Sequence, residues 1–378
     1  IWSMISKENK KIMKILFTIN RLHAGSGGAQ RVVSLLCNGI SDLGHDVLLV
    51  LYENRTEYDY YLSEKVKVVV LPKRKKNENT LIAAINKLVV LRQNVSSFEP
   101  DVIVPFLSDP TFAIYLATRF SKFSSRIITT VRNNPKIFPK QRKYRWRNNI
   151  LMALNKACFF QNIEQRDYFP KFIQKKSFVL PNPVSDELMN SVRSETDIYK
   201  IITLGRLSEQ KNQKMLIKAV ALLVPKYKQL SLDIYGDGSL KEELQKMIDS
   251  LQMTEHIRLC GLTNDVKSVL LNHGLFVMTS NYEGMPNALI EAMATGMPCI
   301  STNCPTGPSD LIIEKDNGML IAMNNVEECA ESIAYMIENR DKALLMGHNA
   351  RQTIEKELTC SEISKKFLSY CEEFVVNK

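Results

Sequence analysis

Two carboxylates and two cations in this chain sit at spacings that suit a phosphorylated ligand. Glu283 and Glu291 are eight residues apart, and Arg206 and Lys211 are five apart. An apolar run over 274–278 reads as a buried strand, and a loop then carries Glu283 and Gly284. Met285 and Pro286 follow, with the proline where a helix favours one. A helix is therefore expected from Pro286 through Asn287, Leu289 and Glu291 to a stop at Gly296. Its first turn presents unsatisfied backbone N–H groups, and the positive end of its dipole, to whatever lies beside Glu283. That is an anion site with a carboxylate at its rim, and Glu291 lies one to two turns further in. A nucleotide sugar, with hydroxyls, diphosphate and ribose in series, has the matching shape. Taken alone, the same residues also fit an amphipathic helix with two solvated glutamates.

The elements that must position these groups recur along the chain. Lys200–Leu204 reads as a short strand ending in Gly205-Arg206-Leu207, and Lys211-Asn212 precedes the helical pattern Met215, Leu216, Ala219, Val220, Leu223. Arg206 and Lys211 thus fall in a strand-to-helix loop, where open parallel sheets bind ligands, and two cations there suit a diphosphate. Near the start, Lys14–Ile19 reads as a first strand, followed by a loop with Gly25, Gly27 and Gly28 and a helix with Val32, Val33, Leu35, Leu36 and Ile40 inward. Glycines there let a backbone approach a ligand. The loop is no dinucleotide fingerprint, because Gln30 stands where a third glycine would be needed.

Glu283 and Glu291 with seven residues between them resemble the paired glutamates of the retaining glycosyltransferases of the GT-B fold, in particular family 4, which builds bacterial surface polysaccharides and lipid-linked oligosaccharides. The resemblance implies that Glu283 binds hydroxyls of the donor sugar and Glu291 the ribose. It implies that Arg206 and Lys211 grip the donor diphosphate, and that Gly27 and Gly28 belong to the family's Gly-Gly-Ala-Glu-Arg loop, here with Gln30 for the glutamate. Gly284, Met285, Pro286, Asn287 and Leu289 would complete the donor loop, and Leu262 would follow the strand that contacts the base. One departure stands out. Many members carry a histidine where this chain reads Thr129-Thr130-Val131-Arg132-Asn133-Asn134-Pro135, so Arg132 or Asn133 takes its place, and Arg132 is expected to point at the sugar phosphate. The resemblance also implies metal-independent chemistry with no cofactor beyond the donor, most readily a UDP-sugar. The absence of any Asp-x-Asp agrees with that. A sugar-nucleotide epimerase or phosphorylase, or a non-catalytic nucleotide-binding assembly factor on the same fold, is the alternative.

Alternating apolar runs and helical patterns give an α/β chain with two Rossmann-like domains facing each other across a cleft. The first half would hold strands at Lys14–Ile19, 47–52, 66–71, 102–106 and 126–131, and the second half at 201–204, 232–235, 257–259, 275–278 and 298–301. The expected domains are 1–184, on the acceptor side, and 185–360, which would bind the nucleotide sugar. The hinge falls at Leu180-Pro181-Asn182-Pro183-Val184 and the polar run 185–196. The C-terminal helix 361–378 resembles the family's closing helix, and that resemblance implies that it packs back on the first domain. In this 378-residue chain, 45% hydrophobic and 24% charged content is ordinary for a globular protein. No apolar run nears the ~20 residues that span a bilayer. The basic opening 1–14 is not read as a secretory signal, and Met4 and Met13 are alternative starts. Eight cysteines without a Cys-x2-Cys pair read as reduced thiols of a cytoplasmic protein.

Charge is uneven. Residues 1–184 carry 30 Lys and Arg against 13 Asp and Glu, whereas 185–378 carry 20 against 27. Lys73, Arg74, Lys75 and Lys76, then Lys136, Lys140, Arg142, Lys143, Arg145 and Arg147, interleave with Ile137, Phe138, Tyr144 and Trp146. Such a surface suits anionic lipid, and a solvated basic helix is the plain alternative. No nucleic-acid motif accompanies it. The partners expected are therefore a nucleotide sugar, a glycan or lipid-linked glycan acceptor, and peripheral contact with the inner face of the plasma membrane.

Overall fold

The computed structural model describes residues 11–23, 27–74, 76–139, 141–194 and 197–376. Gly25, Lys75, Lys140 and the end of the polar run at 195–196, all used in the sequence reading, lie outside the described residues, as do 1–10.

Thirteen strands form among the described residues. The first seven are β1 (Lys14–Ile19), β2 (Asp46–Leu51), β3 (Lys67–Val70), β4 (Val102–Pro105), β5 (Ile128–Thr130), β6 (Ala157–Phe160) and β7 (Ser177–Val179). They pair in parallel in the orders β3-β2-β1-β4 and β5-β6-β7, and a parallel bridge from Ile103 to Ile127 joins the two groups. The remaining six are β8 (Lys200–Leu204), β9 (Ser231–Tyr235), β10 (Ile257–Gly261), β11 (Leu275–Met278), β12 (Cys299–Thr302) and β13 (Met319–Ile321). They form one parallel sheet in the order β10-β9-β8-β11-β12-β13. Parallel strands are covered by helices on both faces, so they need continuous apolar runs. Val102–Pro105, Leu275–Met278 and Cys299–Thr302 are accordingly buried at every position.

In each sheet the strand order reverses between neighbours, at β1/β4 and at β8/β11. The crevice outside the carboxyl ends at such a reversal is where this architecture binds ligands. The loops after β1, β8 and β11 are the three that the sequence reading singled out. Strands β6, β7 and β13 were not anticipated. Ala-Cys-Phe-Phe, Ser-Phe-Val and Met-Leu-Ile are too short to show a period, and their neighbours, not their own pattern, hold them in the sheet.

The chain passes from the first sheet to the second after Leu180 and returns at the last helix, Cys360–Val376. The two crossings touch. Val184 bridges Thr359, and the Val184 N–H donates to the Leu358 carbonyl at 2.8 Å. The last helix lies against the Gly28–Asp42 helix and the first sheet. Phe367 is fully buried, with ring centroids 5.6 Å from Phe17 on β1 and 5.3 Å from Phe159 on β6, while Tyr370 stacks on Phe178 at 4.7 Å. Gly39 permits the close approach, since a Cβ there would lie 2.2 Å from Ser364 Oγ. All eight cysteines are free, and all but Cys260 are buried. Among the described residues no helix is long and apolar enough to cross a membrane.

Phe367→Ala should remove the contact that ties the last helix to both β1 and β6. A stability loss of about 3–5 kcal/mol is expected, read as a lowered midpoint in denaturant. A loss below about 1 kcal/mol would show that the helix does not brace the first sheet.

Candidate active site

Three strand ends supply the site. After β8, Gly205 carries no side chain, and a Cβ there would lie 3.1 Å from Lys211 Cε, so the lysine stem folds across the strand end. The loop that follows is fastened to the loop after β11. Gln210 Nε2 donates to the Tyr282 carbonyl at 3.0 Å, the Asn281 N–H donates to the Gln210 carbonyl at 2.8 Å, and Thr279 Oγ1 donates to the Asn212 carbonyl at 2.9 Å. Held this way, Lys211 Nζ donates to Glu283 Oε1 at 2.7 Å, with both groups largely buried. Arg206 is exposed in the same loop and lines the same cleft.

The helix after β11 runs Asn287–Ala294 and is preceded by Pro286, one residue later than expected, with Gly296 in the left-handed region at φ 74° just beyond it. Its N-terminus is built into the interface between the two halves. Asn287 Nδ2 donates to the Gly28 carbonyl at 3.0 Å, and Asn182 Nδ2 donates to Asn287 Oδ1 at 2.6 Å and to the Met285 carbonyl at 3.2 Å. One turn further, Glu291 is buried and meets Arg31 of the Gly28–Asp42 helix, with Nε 2.7 Å from Oε1. Burial holds the Glu291 carboxyl above its ordinary range, and Arg31 and then Lys211 offset only part of that rise. Sequence reasoning missed Arg31 as a functional residue. Its signal was the end of the glycine loop, one turn into a helix whose partner surface could not be known.

Gly284 sits where the halves come closest. A Cβ there would lie 2.4 Å from Gln161 Oε1 and 2.9 Å from Asn133 Cα, and the Gly284 carbonyl accepts from Asn162 Nδ2 at 3.2 Å. On the far side of this loop Thr306 Oγ1 donates to the Glu283 carbonyl, and the Thr306 N–H donates to Glu164 Oε2 at 3.1 Å.

Arg132 is held over the Phe106 ring at 4.4 Å, and its Nη1 donates to Asn182 Oδ1 at 3.3 Å. Its Nε and Nη2 are buried without a hydrogen-bond partner. Desolvation lowers its pKa to about 9. A buried guanidinium edge without a partner is an electrostatic demand for an anion.

A cleft of about 1740 Å³ brings Gly27, Gly28, Arg132, Arg206, Lys211, Leu262, Glu283, Gly284, Met285, Asn287 and Glu291 to one surface. Two residues expected to bind the donor do not line it. Leu289 is fully buried in the core, and Pro286 is buried against Gly307, so the side chains of both secure the helix start. A helix N-terminus offers only one face to a cleft, and the Leu289 side chain lies on the other.

Residues 26–187 match the family described as Glycosyltransferase Family 4, and residues 184–353 match Glycosyl transferases group 1. An uncharacterised glycosyltransferase of Methanocaldococcus jannaschii is 27% identical over 71% of this chain and 73% of its own length. The GalNAc-α-(1→4)-GalNAc-α-(1→3)-diNAcBac-PP-undecaprenol α-1,4-N-acetyl-D-galactosaminyltransferase of Campylobacter jejuni is 25% identical over 96% of this chain and 99% of its own. A crystal structure of S. aureus TarM, solved as a mutant with fondaparinux, α-GlcNAc-glycerol and UDP, superposes with a TM-score of 0.78. It covers 95% of this chain and 100% of that one at 17% identity, a likeness of fold. Two Rossmann-like domains enclosing one cleft make this a protein of the GT-B class. The chain belongs to the family 4 glycosyltransferases.

Two outcomes test the interface. Arg31→Ala leaves the Glu291 carboxylate buried and unpaired, which should cost about 3 kcal/mol, and Arg31→Ala combined with Glu291→Gln should recover part of it. Strict additivity of the two in denaturant melts would show that the pair is not coupled. Gly284→Ala should hold the halves apart, seen as a larger radius of gyration in solution scattering with little change in helix content. An unchanged radius would mean that the loop yields instead.

Proposed function

We propose that this glycosyltransferase moves a hexose or N-acetylhexosamine, with retention of anomeric configuration, from a nucleoside-diphosphate sugar, most readily a UDP-sugar, to a growing glycan. The acceptor in this reading is carried on a polyprenyl diphosphate at the inner face of the plasma membrane, where the chain attaches peripherally through its basic half. The observation that carries the proposal is the Lys211–Glu283 pair at the carboxyl edge of the second sheet, beneath a helix N-terminus and beside Arg206. The Campylobacter jejuni relative is named for transfer to an undecaprenyl-diphosphate-linked glycan, and TarM was solved with UDP.

Breaking the sugar–phosphate bond leaves a nucleoside diphosphate with growing negative charge. Arg206 and Lys211 meet that charge, and fixed cations there are worth several kcal/mol in the transition state. No general acid is then needed at the leaving group. Neither a metal nor a resident cofactor is part of this mechanism, because the two cations take that role. Glu283 holds hydroxyls of the donor sugar, Glu291 holds the ribose through the oxygen that Arg31 leaves open, and Gly27 and Gly28 let the backbone reach the diphosphate. Arg132 faces the sugar phosphate, a role consistent with its partnerless Nε and Nη2. The acceptor hydroxyl attacks on the face that the diphosphate leaves, and a phosphate oxygen takes its proton. The protein supplies orientation and charge.

Thermal stability measured across a panel of UDP- and GDP-sugars tests this. The true donor at a hundred times its Kd should add about 2.7 kcal/mol, and Arg206→Ala should abolish the shift and lower turnover about a hundredfold. Glu283→Gln should keep the shift given by UDP alone and lose the increment given by the sugar. No shift with any nucleotide sugar would sink the proposal. Hydrolysis or epimerisation that proceeds equally well without acceptor would replace it with the epimerase or phosphorylase reading.

A further inference from the structure

The Thr80–Phe98 helix is apolar on two opposite faces. Ala83, Leu91 and Val95 turn into the domain and are buried, whereas Leu81, Ile82, Ile85 and Val89 on the other side are 69%, 54%, 50% and 48% exposed. At 3.6 residues per turn those four share one outward face. A helix apolar all round is normally enclosed, and this one is enclosed on one side only. The Ser108–Thr118 helix packs alongside and adds the exposed Phe112 and Leu116, and Phe120 beyond its end is 89% exposed.

Cations surround this surface. Lys73, Arg74 and Lys76 precede the helix, Arg92 lies on its outward face, and Glu78 is the lone acid from 73 to 98. Cations ahead of a helix N-terminus oppose its dipole, so the cluster does not serve the helix itself. An outward apolar stripe edged with cations matches a bilayer with anionic headgroups. A second copy of the chain is disfavoured, because a two-fold contact would bring the same cations face to face.

We propose that this face docks on anionic lipid, with Leu81, Ile82, Ile85 and Val89 entering the boundary between headgroups and acyl chains and the flanking cations meeting lipid phosphates. The proposal rests on the lipid-linked acceptor reading and gives it a geometry. The Arg142–Leu154 helix packs on the other side of Ser108–Thr118, and its Arg142, Arg145 and Trp146 line the cleft. Three adjacent helices therefore lead from the docking face to the cleft rim, so an acceptor can enter without leaving the bilayer surface. Arg147, by contrast, braces two of these helices. It pairs with Asp109 at 2.8 Å and lies over Phe112 at 5.0 Å.

Co-sedimentation with vesicles of phosphatidylcholine containing about 30% phosphatidylglycerol, without donor or acceptor, tests the surface. Wild type should pellet with these vesicles about tenfold better than with phosphatidylcholine alone, and about 0.5 M salt should weaken the binding. Ile82→Glu with Ile85→Glu should lower it about tenfold at an unchanged melting temperature, since both side chains are exposed. Undiminished pelleting of the double variant would overturn the proposal. So would a lipid-free dimer that the double variant converts to monomer. Because no sugar nucleotide is present, failure here leaves the transferase reading standing, and loss of the nucleotide-sugar shift leaves the docking result standing.

Discussion

A buried carboxylate needs a cation, and Glu291 finds its cation on the opposite side of the cleft. That constraint ties the two halves of this protein together. Arg31 lies one turn into the helix after β1 and Glu291 one turn into the helix after β11, so their 2.7 Å contact sets the facing of two helix N-termini. Asn287, bonded to the Gly28 carbonyl, fixes the same alignment one turn earlier. Since both glycine-bearing loops lie at carboxyl edges of parallel strands, aligning the helices superimposes the two crevices. The cleft is thus a consequence of two registers brought together by an ion pair and an amide.

Closeness at the centre depends on a missing side chain. Gly284 touches Gln161 and the Arg132–Asn133 backbone, and no Cβ fits there. The loop that presents Glu283 is therefore pinned from the first half by Asn162 and from the second by Thr306, and Glu164 of the first half in turn accepts from the Thr306 backbone. A carboxylate expected to touch a sugar gains its rigidity from hydrogen bonds made by backbone atoms on either side of it, which is the arrangement that preorganised sites require.

Much of this was legible in the sequence where local physics decides. Strand runs such as 274–278, the proline ahead of the Asn287–Ala294 helix and the glycine after it, and the Gly205 turn all act within a few residues, so their positions came out within one residue. The partners of the charges were not legible. Nothing near Glu291 in the chain predicts Arg31, which lies 260 positions away, and nothing near Arg132 predicts that Phe106 and Asn182 will enclose it. That the Leu289 side chain turns into the core was not legible for the same reason. Which side of a short helix faces a cleft is settled by tertiary packing, and a helix as apolar as this one has no polar stripe to mark it.

The pairing of Lys211 with Glu283 bears on how the site receives a ligand. Both side chains are mostly buried, and two unpaired charges there would be costly, so each neutralises the other while the cleft holds no substrate. On the proposed reading, a diphosphate sugar would offer both of them a new partner at once, its phosphates attracting the ammonium and its hydroxyls donating to the carboxylate. Lys211 has three N–H donors and can meet a phosphate oxygen without releasing Glu283. The ion pair need not be broken, and most of the desolvation of both groups is already met by the fold. Arg132 has no such standby partner for Nε and Nη2. Phe106 and Asn182 offset part of its burial, and on the proposed reading an anion at Nε and Nη2 would offset the rest.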